Sequence, residues 1–597
     1  MALRYRAEID GLRAFAVVPV ILFHAGFKLF GGGFVGVDVF FVISGYLITA
    51  VLAEDIENKR FSIVDFYERR ARRILPALFL VMFGCIPFAW MWMLPDPLEN
   101  FGQSLVATTL FSNNVLLYLT SGYWDLASEF KPLLHTWTLG VEEQYYLIVP
   151  ALLFLLFKAG RAAATAIIFA LLLFSLIAAE MFNQTHPQAA FFFLPTRAWE
   201  LLIGAVVALG QDRITAYGHD KVATALSFAG LCLIIGSIFV FDKNTPNPSL
   251  HMLMPTLGTA LILGFSQASK LFLPILTNRV AVGIGLISYS AYLWHQPLFS
   301  FFRILSTSEP GAASFLSLTA ATFALAFISW RYVEQPFRNR TNLKRGSFAS
   351  IILIAAAVLI AFGLAAHKSH GFASRIFDQS NSLPEDLYIS YNDRNFQYKS
   401  DVFNNNGKVR LLIIGNSFGR DVINIIRETY AIDQIDLVYR DDLTDCALLH
   451  SNMGKGLFDR SNVIVFASSY GENDGACVHA LTQAAKDRGL ALFFIGTKNF
   501  GYNLNWIARV SKESRSLLRN AKLPETVASE RWMRELVPEG HFVSLIDALS
   551  ADGKILVTDE LGRLISPDLA HLTKYGAIYL GKTAFLPSAI SSYLPKR

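Results

Sequence analysis

Ser417, Asp568 and His571 are the residue types from which a nucleophile, an orienting carboxylate and a general base are built. Ser417 lies in Gly415-Asn-Ser-Phe-Gly-Arg-Asp421, directly after the apolar run 409–414 and before a helical pattern. That order predicts a hydroxyl at a strand-to-helix turn, where backbone amides can stabilise an oxyanion. Asp568 and His571 stand three apart in Ser566-Pro-Asp-Leu-Ala-His-Leu-Thr573, a spacing that suits a carboxylate and a base on one short turn. Between the two, Gly471-Glu-Asn-Asp474 follows the β-rich run 463–467. There Asn473 and Gly471 are candidate oxyanion donors.

A second set of reactive types lies near the start. Arg13 and His24 bracket an apolar run, Gly11 to Gly26, and a bilayer tolerates such groups poorly unless they line a polar site. As a helix, their separation is roughly 16 Å, about half the hydrocarbon thickness. A catalyst reaching across a membrane could be laid out this way; an arginine snorkelling to the headgroups and a histidine satisfied inside a bundle fit the same spacing. Arg69, Arg70, Arg72 and Arg73 crowd into Tyr67-Glu-Arg-Arg-Ala-Arg-Arg-Ile-Leu-Pro76. They read as a clamp for a phosphorylated cytosolic donor such as coenzyme A, or as a topology determinant touching anionic lipid. His135-Thr-Trp-Thr-Leu-Gly-Val-Glu-Glu-Gln-Tyr-Tyr-Leu147 places Glu142 and Glu143 at the mouth of an apolar helix. Such a pair suits an outward-facing polar cluster or a carboxylate pair favoured by the helix dipole. Arg197 and Glu200, three apart, share a helix face and neutralise each other by default. His295 and Glu334 close two further apolar stretches.

The elements that must carry these residues are apolar ones. Hydrophobic residues make up 53% of the 597 and charged residues 17%, which excludes a soluble protein of this size. Eleven stretches have spanning or near-spanning length: 12–29, 34–53, 75–94, 143–158, 162–182, 191–210, 223–241, 252–266, 281–301, 312–330 and 348–366. With the N-terminus inside, nineteen Lys and Arg fall between spans on the cytoplasmic side and four (Lys28, Lys131, Lys243, Arg303) outside. The positive-inside rule therefore selects this orientation, and the odd count puts everything beyond about 367 outside the cytoplasm. No cleavable signal is evident. From 367 to 408 the chain is polar and reads as a linker. After Val409, β-rich runs at 409–414, 435–439, 463–467, 491–495 and 542–546 alternate with helical patterns at 420–429, 478–488, 525–537 and 574–586. This predicts a small parallel-sheet domain. Cys446 and Cys477 both fall in it, where an oxidising compartment permits but does not require a disulfide.

Two resemblances emerge from these motifs. Arg13 and His24, Phe40-Phe-Val-Ile-Ser-Gly-Tyr-Leu-Ile48, the arginine loop, His135 to Tyr146, Arg197 and Glu200, Tyr292-Leu-Trp-His295 and Tyr332-Val-Glu-Gln-Pro-Phe337 occur in the order of the membrane-bound acyltransferase-3 family. Thr138 stands where that family usually has Ser. The blocks around Ser417, Gly471 to Asp474 and Asp568 to His571 resemble the SGNH hydrolases, with Asn416 in place of the usual Asp and no identifiable glycine block. The expected fold is a polytopic α-helical membrane bundle of about ten plus one transmembrane helices, followed by a small α/β SGNH domain with a flavodoxin-like parallel sheet. The expected domains are 1–340, an added helix and linker over 341–408, and 409–597.

The resemblances imply an O-acyltransferase in the bacterial inner membrane. It would move an acetyl group from cytosolic acetyl-CoA to a hydroxyl of an exported glycan by way of Ser417, with no metal and no nucleic acid involved. Arg13, His24 and Glu142 would join the serine triad as catalytic groups. A neutral imidazole is available near pH 7, so His24 suits an acyl-transfer base or carrier. The acceptor expected first is lipopolysaccharide O-antigen, with peptidoglycan or another exopolysaccharide as the alternative. A glycan O-acetyl esterase and an acylated-glycan transporter are the rival classes.

Overall fold

The computed structural model describes residues 5–120, 128–217, 219–376, 389–404, 406–443, 447–467 and 475–597. The chain forms two compact units. One, the membrane unit, holds Met1–Trp90, Asn100–Phe302 and Pro310–Lys368. The other, the sheet unit, holds Met91–Glu99, Arg303–Glu309 and Ser369–Arg597.

In the membrane unit, eight helices among the described residues are long and apolar enough to cross a membrane: Gly33–Glu57, Ile63–Trp92, Leu134–Ala159, Arg161–Thr185, Pro187–Ile214, Asp220–Val240, Ala312–Arg338 and Arg345–Lys368. The protein is thus a multi-pass membrane protein. The other three stretches expected to span are helical too, but each departs from a simple span. Ala7–His24 carries Glu8, Asp10 and Arg13 within 18 residues. Leu253–Phe265 has 13 residues, about 20 Å at 1.5 Å per residue. The stretch 281–301 is shared between Arg279–Leu286 and Ser288–Leu305, interrupted at Ile287.

Helices of this unit approach through small residues, as apolar packing without a hydrophobic drive requires. A Cβ on Gly45 would lie 1.8 Å from the Leu201 carbonyl oxygen, and one on Gly204 2.0 Å from that of Val42. These two glycines therefore let Gly36–Glu57 and Leu194–Tyr217 touch backbone to backbone. Arg197 fastens the same pair of helices, 3.1 Å from Asp38 and 3.3 Å from Glu200, with all three side chains buried. Its guanidinium faces the rings of Phe41, Trp137 and Phe191. Arg197 and Glu200 do pair across one helix turn, as their spacing suggests.

The sheet unit is built on five parallel strands in the order β2-β1-β3-β4-β6. Four are β1 (Val409–Ile414), β2 (Ile435–Arg440), β3 (Val463–Phe466) and β4 (Ala491–Ile495). β2, β3 and β4 are buried along their whole length, the mark of a parallel sheet covered on both faces. The run expected as a strand over 542–546 is β6 for only two residues, Phe542–Val543. Ser544 then accepts from the Asp547 N–H and starts the helix Leu545–Leu549. A small antiparallel sheet of β5 (Arg519–Ala521), β7 (Ser550–Ala551) and β8 (Lys554–Leu556) was not foreseen from sequence.

The polar stretch before the sheet is not only a linker. Ile389–Asp393 and the turn Arg394–Tyr398 pack against the helix Ser417–Thr429, burying Tyr391, Asn392 and Asn395. Cys477 is disulfide-bonded, whereas Cys446 lies outside the described residues. Cys85 and Cys232 are free.

Candidate active site

In the sheet unit, Ser417 opens the helix Ser417–Thr429 directly after β1. β1 has β2 on one side and β3 on the other, so the turn lies where the strand order reverses, the usual crevice of an open α/β sheet. Only glycine fits before it: a Cβ on Gly415 would stand 1.8 Å from the Ala467 carbonyl oxygen, and its φ is +154°. Asn416 caps the helix by accepting from the Phe418 N–H at 3.0 Å. This is a role that Asn and Asp fill equally, so the departure from the usual aspartate leaves the turn intact.

Ser417 Oγ is 3.0 Å from His571 Nε2, and His571 Nδ1 is 2.5 Å from Asp568 Oδ2. A carboxylate only accepts, so Nδ1 carries the proton and Nε2 is left to receive that of Ser417. Asp568 is itself fixed: Oδ1 accepts from the backbone N–H groups of Ala570 at 2.7 Å and His571 at 2.8 Å. Burial raises the Asp568 carboxyl, but the His571 ring and those two amides outweigh it and hold the group at about 2. Geometry and charge thus suit Ser417 as nucleophile, His571 as base and Asp568 as orienter. Gly471 and Asn473, the expected oxyanion donors, lie outside the described residues.

Groups that sequence reasoning missed hold this triad from behind. Asp421, on the nucleophile helix, accepts the backbone N–H of Leu572 at 3.2 Å and the Asn392 side-chain amide at 2.6 Å. Lys498 Nζ lies 2.8 Å from the other Asp421 oxygen and 3.4 Å from the centre of the Phe418 ring. Burial pushes the Lys498 ammonium down, and Asp421 and Asp568 work against that shift. Arg420 donates through Nε to Asn392 at 2.6 Å. No short motif links Lys498 or Asn392 to Ser417, so only the fold reveals them.

The membrane unit has a cavity of about 470 Å³, within the range of small-molecule sites. Arg13, Arg69, Arg70, Arg73 and Glu142 all line it, together with Arg338 and Tyr289, which sequence reasoning did not assign. Five guanidiniums line it with two carboxylates, Asp10 and Glu142, and Arg69 and Arg338 also pair outside the lining with Asp55 at 3.0 Å and Glu334 at 2.7 Å; a cavity of this charge suits an anion. Arg13 is 3.3 Å from Asp10 and Arg70 is 3.5 Å from Glu143. Ser44 donates to Glu142 at 2.8 Å. Arg73 has neither hydrogen bond nor ion pair among the described residues.

Arg72, the third arginine of the run, is turned elsewhere. It pairs with Glu68 at 2.9 Å, donates to the carbonyls of Phe337 and Leu343, and covers the Phe348 ring. His24 does not line the cavity; its Nδ1 is 2.9 Å from the Val20 carbonyl oxygen and its ring packs on His295.

The model of an acyltransferase domain, that of the acyltransferase-3 family, matches residues 6–331. The peptidoglycan O-acetyltransferase OatA of Listeria monocytogenes is 32% identical over 353 residues, 56% of this chain and 56% of that protein. The putative peptidoglycan O-acetyltransferase YrhL of Bacillus subtilis is 32% identical over 361 residues, 56% and 55% of the two chains. The O-acetyltransferase OatA of Staphylococcus aureus is 29% identical over 375 residues, 59% and 61%. The chain spans somewhat over half the length of these curated relatives. With a match that runs from Arg6 to Arg331, more than half of its length, this chain belongs to the acyltransferase-3 family.

Proposed function

We propose that the protein is an O-acetyltransferase that relays an acetyl group from cytosolic acetyl-CoA to a hydroxyl of an exported glycan, with Ser417 as the last carrier. The observation that carries this reading is the aligned Ser417–His571–Asp568 chain in a protein whose other unit belongs to an acyltransferase family. The arginine-lined cavity supports acetyl-CoA as donor: Arg73, with no ion pair among the described residues, together with Arg70 and Arg338 suits its phosphates, and Arg13 and Glu142 suit the thioester end.

In this reading the sheet unit is an SGNH-type domain in the bacterial periplasm or its equivalent, the membrane is the inner membrane, and the N-terminus is cytoplasmic. The domain limits near 340 and 408 belong to the same proposal. His571 takes the Ser417 proton as the hydroxyl attacks the acyl carbon, and the acyl-serine forms. After that proton has passed to solvent, His571 takes the proton of the acceptor hydroxyl, which attacks in turn and releases Ser417. The difficult transfer is divided into two easier ones.

For the acceptor, the O-antigen expectation gives way. The relatives whose printed names give an acceptor name peptidoglycan, and they favour it over O-antigen here. The test is the O-acetyl content, by proton NMR, of peptidoglycan and of surface polysaccharide from cells carrying the intact chain, Ser417→Ala or His24→Ala. Acetyl loss from peptidoglycan in both variants, at equal protein level, is the expected result. Loss in His24→Ala alone would make the membrane unit a direct transferase. A rise in Ser417→Ala would make the sheet unit an esterase, and loss confined to surface polysaccharide would restore the O-antigen acceptor.

A further inference from the structure

The membrane unit holds three histidines that the relay has not used together. The rings of His24 and His295 are 5.1 Å apart, and those of His295 and His135 are 5.4 Å apart. They come from separate elements: His24 ends Ala7–His24, His135 lies in the turn Leu134–Thr136, and His295 stands in Ser288–Leu305. Tyr292 connects the group to the arginine-lined cavity. It lines that cavity, and its ring is 5.2 Å from His135 and 5.3 Å from His295.

The protonation pattern of the first two rings is set by backbone. His24 Nδ1 is 2.9 Å from the Val20 carbonyl oxygen, and His295 Nδ1 is 2.6 Å from that of Tyr292. A carbonyl oxygen only accepts, so each Nδ1 carries the proton and each Nε2 carries a lone pair. His295 is fully buried, and among the described residues its Nε2 has no hydrogen-bond partner. Buried polar atoms are costly to leave unpaired, and a native structure that keeps them calls for a reason.

We propose that His295 is a second acyl carrier, which takes the acyl group from His24 within the membrane unit. The inference rests on the relay reading above. In the first step Nε2 of His24 attacks the thioester carbon; the C–N bond forms, the C–S bond breaks, and the thiolate leaves to take a proton from the cytosol. His24 is then an acylimidazolium, because Nδ1 keeps its proton on the Val20 carbonyl. Nε2 of His295 attacks the same carbon; the new C–N bond forms, the bond to His24 breaks, and its electron pair returns to Nε2 of His24. No proton moves, since both rings keep Nδ1–H throughout. In the relay reading the acyl group ends on Ser417: its bond to His295 breaks with the electron pair returning to Nε2 of His295, the bond to Ser417 Oγ forms, and the serine proton passes to His571. The proton consumed by the thiolate is balanced by the one that His571 later gives up to solvent. The complete burial of His295 protects an acylimidazole from hydrolysis.

The test uses the full chain in detergent or vesicles with isotope-labelled acetyl-CoA, and mass spectrometry of the labelled peptides. In the intact chain and in His295→Ala and His295→Asn, three signals are read: label on Ser417, label on His24, and exchange of label between acetyl-CoA and free coenzyme A. The expected result is that both variants still exchange, hold label on His24, and lose labelling of Ser417 by roughly a hundredfold. Exchange also reports that the donor site is folded. Full Ser417 labelling in His295→Asn would overturn the proposal and leave His295 a hydrogen-bonding residue. Loss of exchange in both variants would overturn it as well, placing His295 in the first step. An intact chain that labels His24 and never Ser417 would sink the relay reading instead, a failure distinct from that of His295.

Discussion

Lys498 Nζ stands 2.8 Å from Asp421 Oδ2, and both side chains are completely buried beneath the nucleophile helix. Because the other Asp421 oxygen accepts the N–H of Leu572, the residue after His571, this ion pair ties the serine turn to the turn that carries the base. Removing one partner of a buried pair strands the other charge, at a cost of about 3–5 kcal/mol. Lys498→Met is therefore expected to lower the thermal stability of the sheet unit more than the double variant Lys498→Met with Asp421→Leu, read by unfolding of the detergent-solubilised chain. Equal losses in the single and double variants would show that the pair is not coupled.

Asp568 gives the sheet unit an acid-side limit. Its carboxyl lies at about 2 against an ordinary value of 3.8, so between those values the unfolded chain binds more protons than the folded one. The stability it contributes is complete above about pH 4 and is lost as pH falls toward 2. A shift of this size corresponds to roughly 2 kcal/mol. Asp568→Asn is expected to flatten the stability profile between pH 4 and 2. It should also slow Ser417 acylation at neutral pH by about a thousandfold or more, because an amide can hold His571 in the wrong tautomer. A profile still as steep in the variant would assign the acid sensitivity to other carboxylates.

The parts of this site that were legible in sequence are those that a single local pattern encodes. Ser417 follows an apolar strand and opens a helix, and Asp568 and His571 share one turn, so spacing alone exposes them. Lys498 and Asn392 were illegible because each reaches Asp421 from a separate element, after β4 and before β1. Of the eleven apolar stretches, eight lie on helices long and apolar enough to span, and hydropathy could not tell that 281–301 is interrupted at Ile287. The three-histidine contact was hidden for the same reason: each histidine had been noticed in its own motif, and only helix packing brings the rings together.

Ser417 and His571 separate in a partial reaction. Ser417→Ala removes the acceptor oxygen, so label from acetyl-CoA is expected to stop within the membrane unit, with no labelled peptide from residues near 417. His571→Ala keeps that oxygen but removes the base 3.0 Å away. It is expected to label Ser417 at least about a hundredfold more slowly and to fail at the later transfer to glycan. Wild-type labelling rates in His571→Ala would mean that another group takes the serine proton.

The arginine run divides along the helix Ile63–Trp92 by its own geometry. Residues three and four apart share a face, which sets Arg69, Arg70 and Arg73 toward the cavity and Arg72 with Glu68, four before it, on another side. Arg73 lines the cavity with neither hydrogen bond nor ion pair among the described residues, and a charged hydrogen bond of about 1.5–3 kcal/mol converts to roughly ten- to a hundredfold in donor binding. Arg73→Ala is therefore expected to raise the KM for acetyl-CoA by that factor with little change in melting temperature. Arg72→Ala loses its bonds to the Phe337 and Leu343 carbonyls and its cover over Phe348. It should lower stability by roughly 2 kcal/mol and leave the KM of the surviving protein near that of the intact chain. If the two variants traded these effects, the cavity-lining side of the helix would not be the donor side.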